Sequence, residues 1–252
     1  MPLQGLIFDV DGTLAETEEV HRQAFNEAFA AFRLPWNWER PLYKDLLQVT
    51  GGKERILHYL ANWRPRDLAA VREQIPAIYD LKTKRYSAMI LAGAVELNPG
   101  VARLIAEAKA AGARLAIATT THRDNVEALL QHTLPAHGAS LFAAIVAGDE
   151  VSAKKPDPEV FDAALRKLGL PAASCVALED SANGANAARA AGLRVVVTPG
   201  IYTADDDFSG ASTVISDLGE PDRPHRHLAG WHWPDGYVSF AALQMLAAQN
   251  PT

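Results

Sequence analysis

Two carboxylates one residue apart, Asp9 and Asp11, stand at the end of the apolar run Leu6-Ile7-Phe8 and just ahead of Gly12 and Thr13. The run reads as a buried strand. Residues i and i+2 of a strand point to one side, so both carboxylates begin on the same face. Like charges that close repel unless a proton or a cation lies between them. The pair therefore asks for a metal ion, an acid–base partnership, or both. An Asp-rich turn capping a strand, with Asp-Gly as ordinary turn chemistry, accounts for it equally well when it is taken alone.

Three later stretches carry complementary chemistry. Thr119-Thr120-Thr121 closes the strand-like run 114–119, and a hydroxyl with free backbone N–H groups at a strand-to-helix junction makes a phosphate cradle. β-Branched residues finishing a strand are the plainer explanation. Lys154-Lys155-Pro156-Asp157-Pro158 precedes a helix, where a lysine is disfavoured by about 0.3–1 kcal/mol. Pairing with an anion would give it a purpose; a solvated loop lysine is the alternative. Glu179-Asp180-Ser181 follows the run Cys175-Val176-Ala177-Leu178 and offers oxygen ligands to Mg²⁺, which takes one or two carboxylates plus phosphate and water. A helix N-cap by Asp180 or Ser181 is the other reading.

Ligands of open α/β sheets bind outside the carboxyl ends of the strands, so these places matter only if strands bring them together. After the first strand, residues 17–32 carry a helical stripe of Val20, Ala24, Phe25, Ala28, Phe29 and Phe32, broken by Pro35 and the segment 36–38. Helical segments follow at about 39–48, 53–62 and 66–89; Gly51-Gly52 separates the first two, and Pro76 starts or kinks a helix within the third. From Pro99 the pattern alternates: a helix ending at Gly112, a strand 114–119, a helix 123–132, a strand 143–147 and a helix opened by Pro158. A strand 174–178, a helix closing at Gly192 and a strand 193–198 complete it. Such alternation implies right-handed crossovers and a parallel sheet. The expectation is an α/β fold: a doubly wound, Rossmann-like core from residues 1–16 and 91–252, with an all-helical cap, 17–90, inserted after the first strand. Beyond about residue 219, Pro221, Pro224 and Pro234 predict an irregular excursion closed by a helix 239–248. His225, His227 and His232 lack regular ligand spacing and read as ordinary surface.

With 252 residues, 48% of them hydrophobic, and a formal net charge of −6, the chain reads as a soluble globular protein. An acidic balance argues against nucleic acid and anionic membranes, which need a basic footprint. Cys175 is the single cysteine, which excludes an internal disulfide, fits a reducing compartment and reads as a buried thiol. The chain enters its first strand at once, leaving no room for a signal peptide, and no apolar stretch is long enough to span a bilayer. A cytoplasmic protein is expected, with a small-molecule ligand and no obligatory protein partner.

Taken in order, Asp9-Val10-Asp11-Gly12-Thr13, Thr119, Lys155-Pro156 and Glu179-Asp180 give the chain its resemblance to the haloacid dehalogenase superfamily. Glu16, Thr17, Glu18, His21 and the inserted helices are similar to the subgroup holding β-phosphoglucomutase and CbbY-type phosphatases, and the segment 46–56 looks most like the CbbY type. The resemblance implies a Mg²⁺-dependent phosphatase in which Asp9 attacks phosphorus and forms an aspartyl-phosphate. Asp11 would be the acid–base, starting protonated because neighbouring carboxylates raise its pKa. Thr119, the Thr120 amide and Lys155 would hold the phosphoryl oxygens, with Lys154 the second choice. Asp9, Asp11 through its backbone carbonyl, Glu179 and Asp180 would hold the metal. Substrate would meet Thr13, Glu18, His21, Gly52, Lys53, Lys82, Arg85, Thr120 and Thr121, with Lys82, Lys84 and Arg85 a cluster for a second phosphate. The CbbY type implies xylulose 1,5-bisphosphate, a misfire product that inhibits the CO₂-fixing enzyme Rubisco of the Calvin cycle. Two alternatives stand: a sugar phosphomutase, against which Thr13 speaks, and a phospho-acceptor signalling domain, which lacks such a helical insertion.

Overall fold

The computed structural model describes residues 2–134 and 138–249, so Met1 and the last three residues of the expected core lie outside it. Its sheet is built from β1 (Gly5–Phe8), β2 (Arg114–Ala118), β3 (Ala144–Val146), β4 (Cys175–Glu179), β5 (Arg194–Val197), β6 (Thr213–Ile215) and β7 (His227–Gly230). The order is β3-β2-β1-β4-β5-β6-β7, parallel throughout except for β7, which runs antiparallel to β6. Because β1 is central and has apolar layers on both faces, all four of its residues are buried and its sequence is continuously apolar apart from Gly5.

Alternation along the strands divides the core into two layers. Leu6, Phe8, Leu115, Ile117, Val176 and Leu178 face one side, where α6 (Val101–Ala110), α7 (Arg123–Thr133) and α10 (Phe240–Ala248) pack. Ile7, Ala116, Ala118, Ala177 and Val195 face the other, against α8 (Glu159–Leu168) and α9 (Ala182–Ala190). Helices on both faces of a mostly parallel sheet are the doubly wound arrangement expected, and they bring the ends of β1, β2 and β4 side by side.

Between β1 and α6 the chain forms only helices among the described residues: α1 (Glu18–Ala31), α2 (Arg40–Leu46), α3 (Gly52–Trp63), α4 (Leu68–Val71) and α5 (Ile75–Leu91), with a 3₁₀ turn at Arg72–Gln74. Pro76 sits in the first turn of α5, where its missing N–H costs nothing, so it starts that helix instead of kinking it. The block has its own apolar cluster, in which Trp38 lies 4.8 Å from Phe29 and 5.4 Å from Tyr59, both edge-on. Such pairs add roughly 0.5–1.5 kcal/mol each beyond area burial. Packing of α5 against both α1 and α7 ties the block to the core.

The later chain corrects the sequence expectation. β6 and β7 extend the sheet, although no strand is expected after 198. They are three and four residues long, and every residue of β7 is exposed, so neither shows a readable alternation. Beyond them Trp233, Val238 and Phe240 are buried in the first core layer, which anchors the segment. The rings of His227 and His232 lie 5.1 Å apart, but no histidine enters a group of three or more metal-ligating side chains among the described residues. No helix among them is long and apolar enough to cross a membrane.

Candidate active site

Asp9 directly follows β1, and its N–H donates to the Leu178 carbonyl at 3.0 Å, carrying the sheet ladder one residue further. The chain then turns at Gly12 with φ +85°, where an added Cβ would lie 2.3 Å from Asp180 Oδ2. Only glycine admits both that backbone and that approach. Asn98 Nδ2 holds the turn by donating to the carbonyls of Gly12 at 2.8 Å and Thr13 at 3.1 Å.

Lys155 reaches the same place from the loop before α8. Its buried Nζ lies 2.6 Å from Asp9 Oδ1, 2.6 Å from Glu179 Oε1 and 3.0 Å from the Ala118 carbonyl. Lys154 instead donates to the backbone carbonyls of Gly148 and Val151, so of the two lysines only Lys155 meets the carboxylates. Burial opposes charge on Lys155, but Asp9 and Glu179 more than offset it and push its pKa up.

Carboxylate oxygens of Asp9, Glu179 and Asp180 can all lie within 4.8 Å of one another, and all three residues are buried. Burial, with the charges of Glu179 and Asp11, holds Asp9 well above the ordinary carboxylate range despite Lys155. Asp180 is raised in the same way by burial, Glu179 and Asp9. Three carboxylates facing one lysine leave an excess of negative charge on hard oxygen donors, and this donor set fits Mg²⁺.

The Asp11 carboxylate does not join that group. Past the strand end the i, i+2 rule lapses, and Oδ1 accepts from Thr17 Oγ1 at 2.5 Å and His21 Nε2 at 2.9 Å. Only its backbone carbonyl is left for the metal role expected of it. Its protonation also reverses the sequence expectation. Burial would raise the Asp11 pKa, but the charge and hydrogen bond at His21, the Thr17 hydroxyl and the charge of Lys82 bring it down to about 2. Neighbouring carboxylates do not decide its state; Thr17 and His21 at the start of α1, with Lys82 of α5, do.

Beneath the helical block, Glu18, His21, Arg55 and Lys82 line a space that continues to Thr120 and Thr121. Lys82 is buried with its Nζ 2.6 Å from His21 Nδ1. Glu18 accepts from Tyr43 Oη at 2.7 Å, and Tyr43 Oη accepts from Arg55 Nη1 at 3.1 Å. Gly52 has no room for a side chain, since a Cβ there would meet the Tyr79 ring at 2.2 Å. Thr119 and Thr120 line the cavity that holds Asp9 and Lys155, and Thr119 Oγ1 accepts from the Thr121 N–H at 3.2 Å. Thr121 Oγ1 accepts from Asn125 Nδ2 at 3.0 Å.

Four residues expected to meet substrate are not brought to this space. Arg85 is half exposed and lies 3.6 Å from Glu27 Oε2 on α1, and Lys84 is exposed too. Position 84 stands about 200° around the helix from 82, and Arg85, though only about 60° from it, turns to Glu27 on α1, so a cluster in sequence is not one in space. Lys53 is exposed, 5.2 Å over the Tyr79 ring, at a neighbouring opening with His122 and Lys154. Thr13 is buried, its Oγ1 makes no hydrogen bond, and it borders a separate recess with Glu16 and Asn98. Arg55 is the cation the sequence reading missed. Its signal was position: Arg55 lies on the α3 face carrying Ile56, Tyr59 and Leu60, where a charge should not be buried without purpose.

The haloacid dehalogenase-like hydrolase model matches residues 3–192. The CbbY protein of the Cupriavidus necator plasmid is 50% identical over 238 residues, covering 92% of this chain and 94% of that one. CbbY of Rhodobacter capsulatus is 55% identical over 218 residues, covering 86% and 95%. A crystal structure of mutant CbbY from Rhodobacter sphaeroides in complex with xylulose-(1,5)bisphosphate superposes with a TM-score of 0.80 at 47% identity, over 85% of this chain and 94% of that one. A β-phosphoglucomutase from Clostridium difficile, 17% identical with a TM-score of 0.73 over 97% of each chain, shares the fold.

Proposed function

The chain belongs to the haloacid dehalogenase-like hydrolases, an enzyme of phosphoric monoester hydrolysis, and on that premise we propose that its substrate is a pentulose bisphosphate, xylulose 1,5-bisphosphate first. The observation that carries this reading is the pairing of two cationic places across one cavity system. Lys155 stands beside Asp9 at the floor, and Arg55 and Lys82 stand beneath the helices above it. Charge-assisted contacts to phosphate contribute about 1.5–3 kcal/mol each, so a substrate with a phosphate at each end gains most. The similarity to a CbbY solved with xylulose-(1,5)bisphosphate supports the same choice. We take residues 17–90 as the cap and 1–16 with 91–252 as the catalytic core.

In the proposed mechanism Asp9 attacks phosphorus in line, the bond to the sugar oxygen breaks, and the phosphoryl group stays on Asp9. Lys155, Thr119 and the Thr120 amide receive the phosphoryl oxygens and offset the charge that shifts onto them. The leaving oxygen takes a proton from Asp11, which here is ionised and must first be loaded. A path exists: Lys82 donates to His21 Nδ1 and His21 Nε2–H donates to Asp11 Oδ1. One positive charge shared by Lys82 and His21 can thus move to Asp11 as the leaving oxygen approaches. Asp11 then takes a proton from the water that releases phosphate from Asp9. Held by Asp9, Asp180, Glu179 and the Asp11 carbonyl, Mg²⁺ would supply the positive charge that lets a phosphate approach these carboxylates.

A screen over mono- and bisphosphorylated pentoses and hexoses with Mg²⁺, reading inorganic phosphate, tests this. The highest kcat/KM is expected for a pentulose 1,5-bisphosphate. Isomerised sugar phosphate without phosphate release would mark a mutase, and no turnover of any substrate would overturn the reading.

A further inference from the structure

The loop after β5 touches both the core and the cap within seven residues. Thr203 Oγ1 lies 3.2 Å from Asp180 Oδ2, and the same hydroxyl accepts from the Gly200 N–H at 2.9 Å. A hydroxyl has one proton, so with its acceptor side occupied Thr203 donates to the carboxylate. The same Oδ2 fills the space a side chain on Gly12 would need, 2.3 Å from an added Cβ. At the loop's far end, Asp206 Oδ2 accepts from the Ala182 N–H at 2.9 Å, at the first turn of α9. These contacts all go to the core.

The residues between them go to the cap. Tyr202 is buried within the cap's own aromatic cluster, edge-on to Tyr43 at 5.5 Å, and its Oη donates to Glu19 Oε2 at 2.7 Å. Lys44 of α2 pairs with Asp205 at 2.6 Å, though both are exposed. Glu16, just before the cap, accepts from the Ile201 N–H at 3.1 Å. Adjacent Cα atoms are about 3.8 Å apart, so neighbouring residues hold the cap and Asp180, and a shift of Tyr202 bears directly on Thr203.

We propose that Thr203 is a positioning residue for the Asp180 carboxylate, and that Tyr202 makes this hold depend on the cap being closed. Loop 199–206 then couples cap closure to metal binding. Coupling is reciprocal: closure raises metal affinity by the factor by which metal favours closure. The proposal rests on Asp180 as a metal ligand, and extends that reading to Thr203, which borders the same cavity and acts through the Asp180 carboxylate.

Mn²⁺ binding by the full chain, followed by electron paramagnetic resonance, tests it without turnover. Thr203→Val should weaken Mn²⁺ binding about tenfold or more, the usual effect of losing a partner of a ligand, and Thr203→Ser should restore it. Tyr202→Phe keeps the ring in its cluster and removes only the bond to Glu19; it should weaken binding about two- to tenfold. In the wild type, Mg²⁺ should slow amide exchange in the cap segment 40–47, and Tyr202→Phe should abolish that slowing. Unchanged Mn²⁺ affinity in folded Thr203→Val would overturn the positioning role. Slowing that persists in Tyr202→Phe would overturn the coupling. A wild type that takes up no Mn²⁺ would overturn the reading of Asp180 itself.

Discussion

Lys82 Nζ lies 2.6 Å from His21 Nδ1, and the opposite nitrogen of that ring lies 2.9 Å from Asp11 Oδ1. Two buried bases in contact cannot both be charged cheaply, and the charge of Lys82 lowers His21. Burial brings Lys82 down to about 7, and burial with the charge of Lys82 brings His21 below its ordinary value. The His21 ring also stacks on Tyr86 at 4.0 Å, which fixes its plane between the two partners. Asp11, the proposed acid–base residue, is thereby wired to a cation on α5, the last helix before the chain returns to the sheet.

This wiring makes stability depend on pH. The Lys82 pKa is near its ordinary 10.5 in the unfolded chain and about 7 in the folded one. Unfolded chains therefore bind more protons between these values, and stability must rise with pH across that window. The contribution is present above 10.5 and is fully lost below 7. Lys82→Met should flatten the rise in Tm between pH 7 and pH 10, measured against wild type by thermal denaturation. An unchanged slope would mean that Lys82 titrates normally.

Removing Lys155 should harm both fold and chemistry. Lys155→Met leaves Asp9 and Glu179 buried without their cation, and breaking such a pair from one side costs about 3–5 kcal/mol. Denaturant unfolding reads that loss, which should shrink at lower pH as the carboxylates protonate. Asp9→Asn should instead stay folded and lose turnover by about a thousandfold or more, as for a lost nucleophile. Turnover within tenfold of wild type would sink the assignment of Asp9.

Cap cations should divide by position, not by sequence proximity. Arg55→Gln and Lys82→Met are expected to lower kcat/KM for xylulose 1,5-bisphosphate by about tenfold or more each. Arg85→Ala, which only frees Glu27 on an exposed face, should stay within about twofold, the range of an exposed ion pair. Arg55→Gln should cost much less on acetyl phosphate, which is too short to reach the cap. Equal losses on both substrates would show that Arg55 supports the fold and not the distal phosphate.

Activity should vanish with chelator and return with Mg²⁺, because Asp9, Glu179 and Asp180 outnumber Lys155 at the place where a phosphate must enter. Full phosphatase activity after exhaustive chelation would remove the metal from the mechanism.

Cys175 should be inert in the native protein. It is buried at the start of β4, and burial pushes its thiol up to about 11. Iodoacetamide at pH 8 should label it only after unfolding, as read by mass spectrometry, since the thiolate is the reactive form. Rapid native labelling would show that β4 opens locally.

Periodicity in the chain was enough to read the doubly wound sheet, the helical insertion after β1 and the placing of Asp9, Thr119 and Glu179 at strand ends. Such patterns are local, and a parallel sheet leaves strand ends few places to go. Short strands escaped this reading: β7 is exposed along its length and carries no alternation. The choice of Lys155 over Lys154 rested on family resemblance until the structure gave it a partner 146 residues away in Asp9. Turning Asp11 toward Thr17 and His21, and so ionising it, needed the His21 ring held between Asp11 and Lys82. Selecting Lys82 and Arg55 while leaving Arg85 outside needed the rotation of α5 and α3 against their neighbours. Residue type and spacing determine which face of an element is buried; which charges meet there, and therefore their protonation, is decided only when distant segments are packed together.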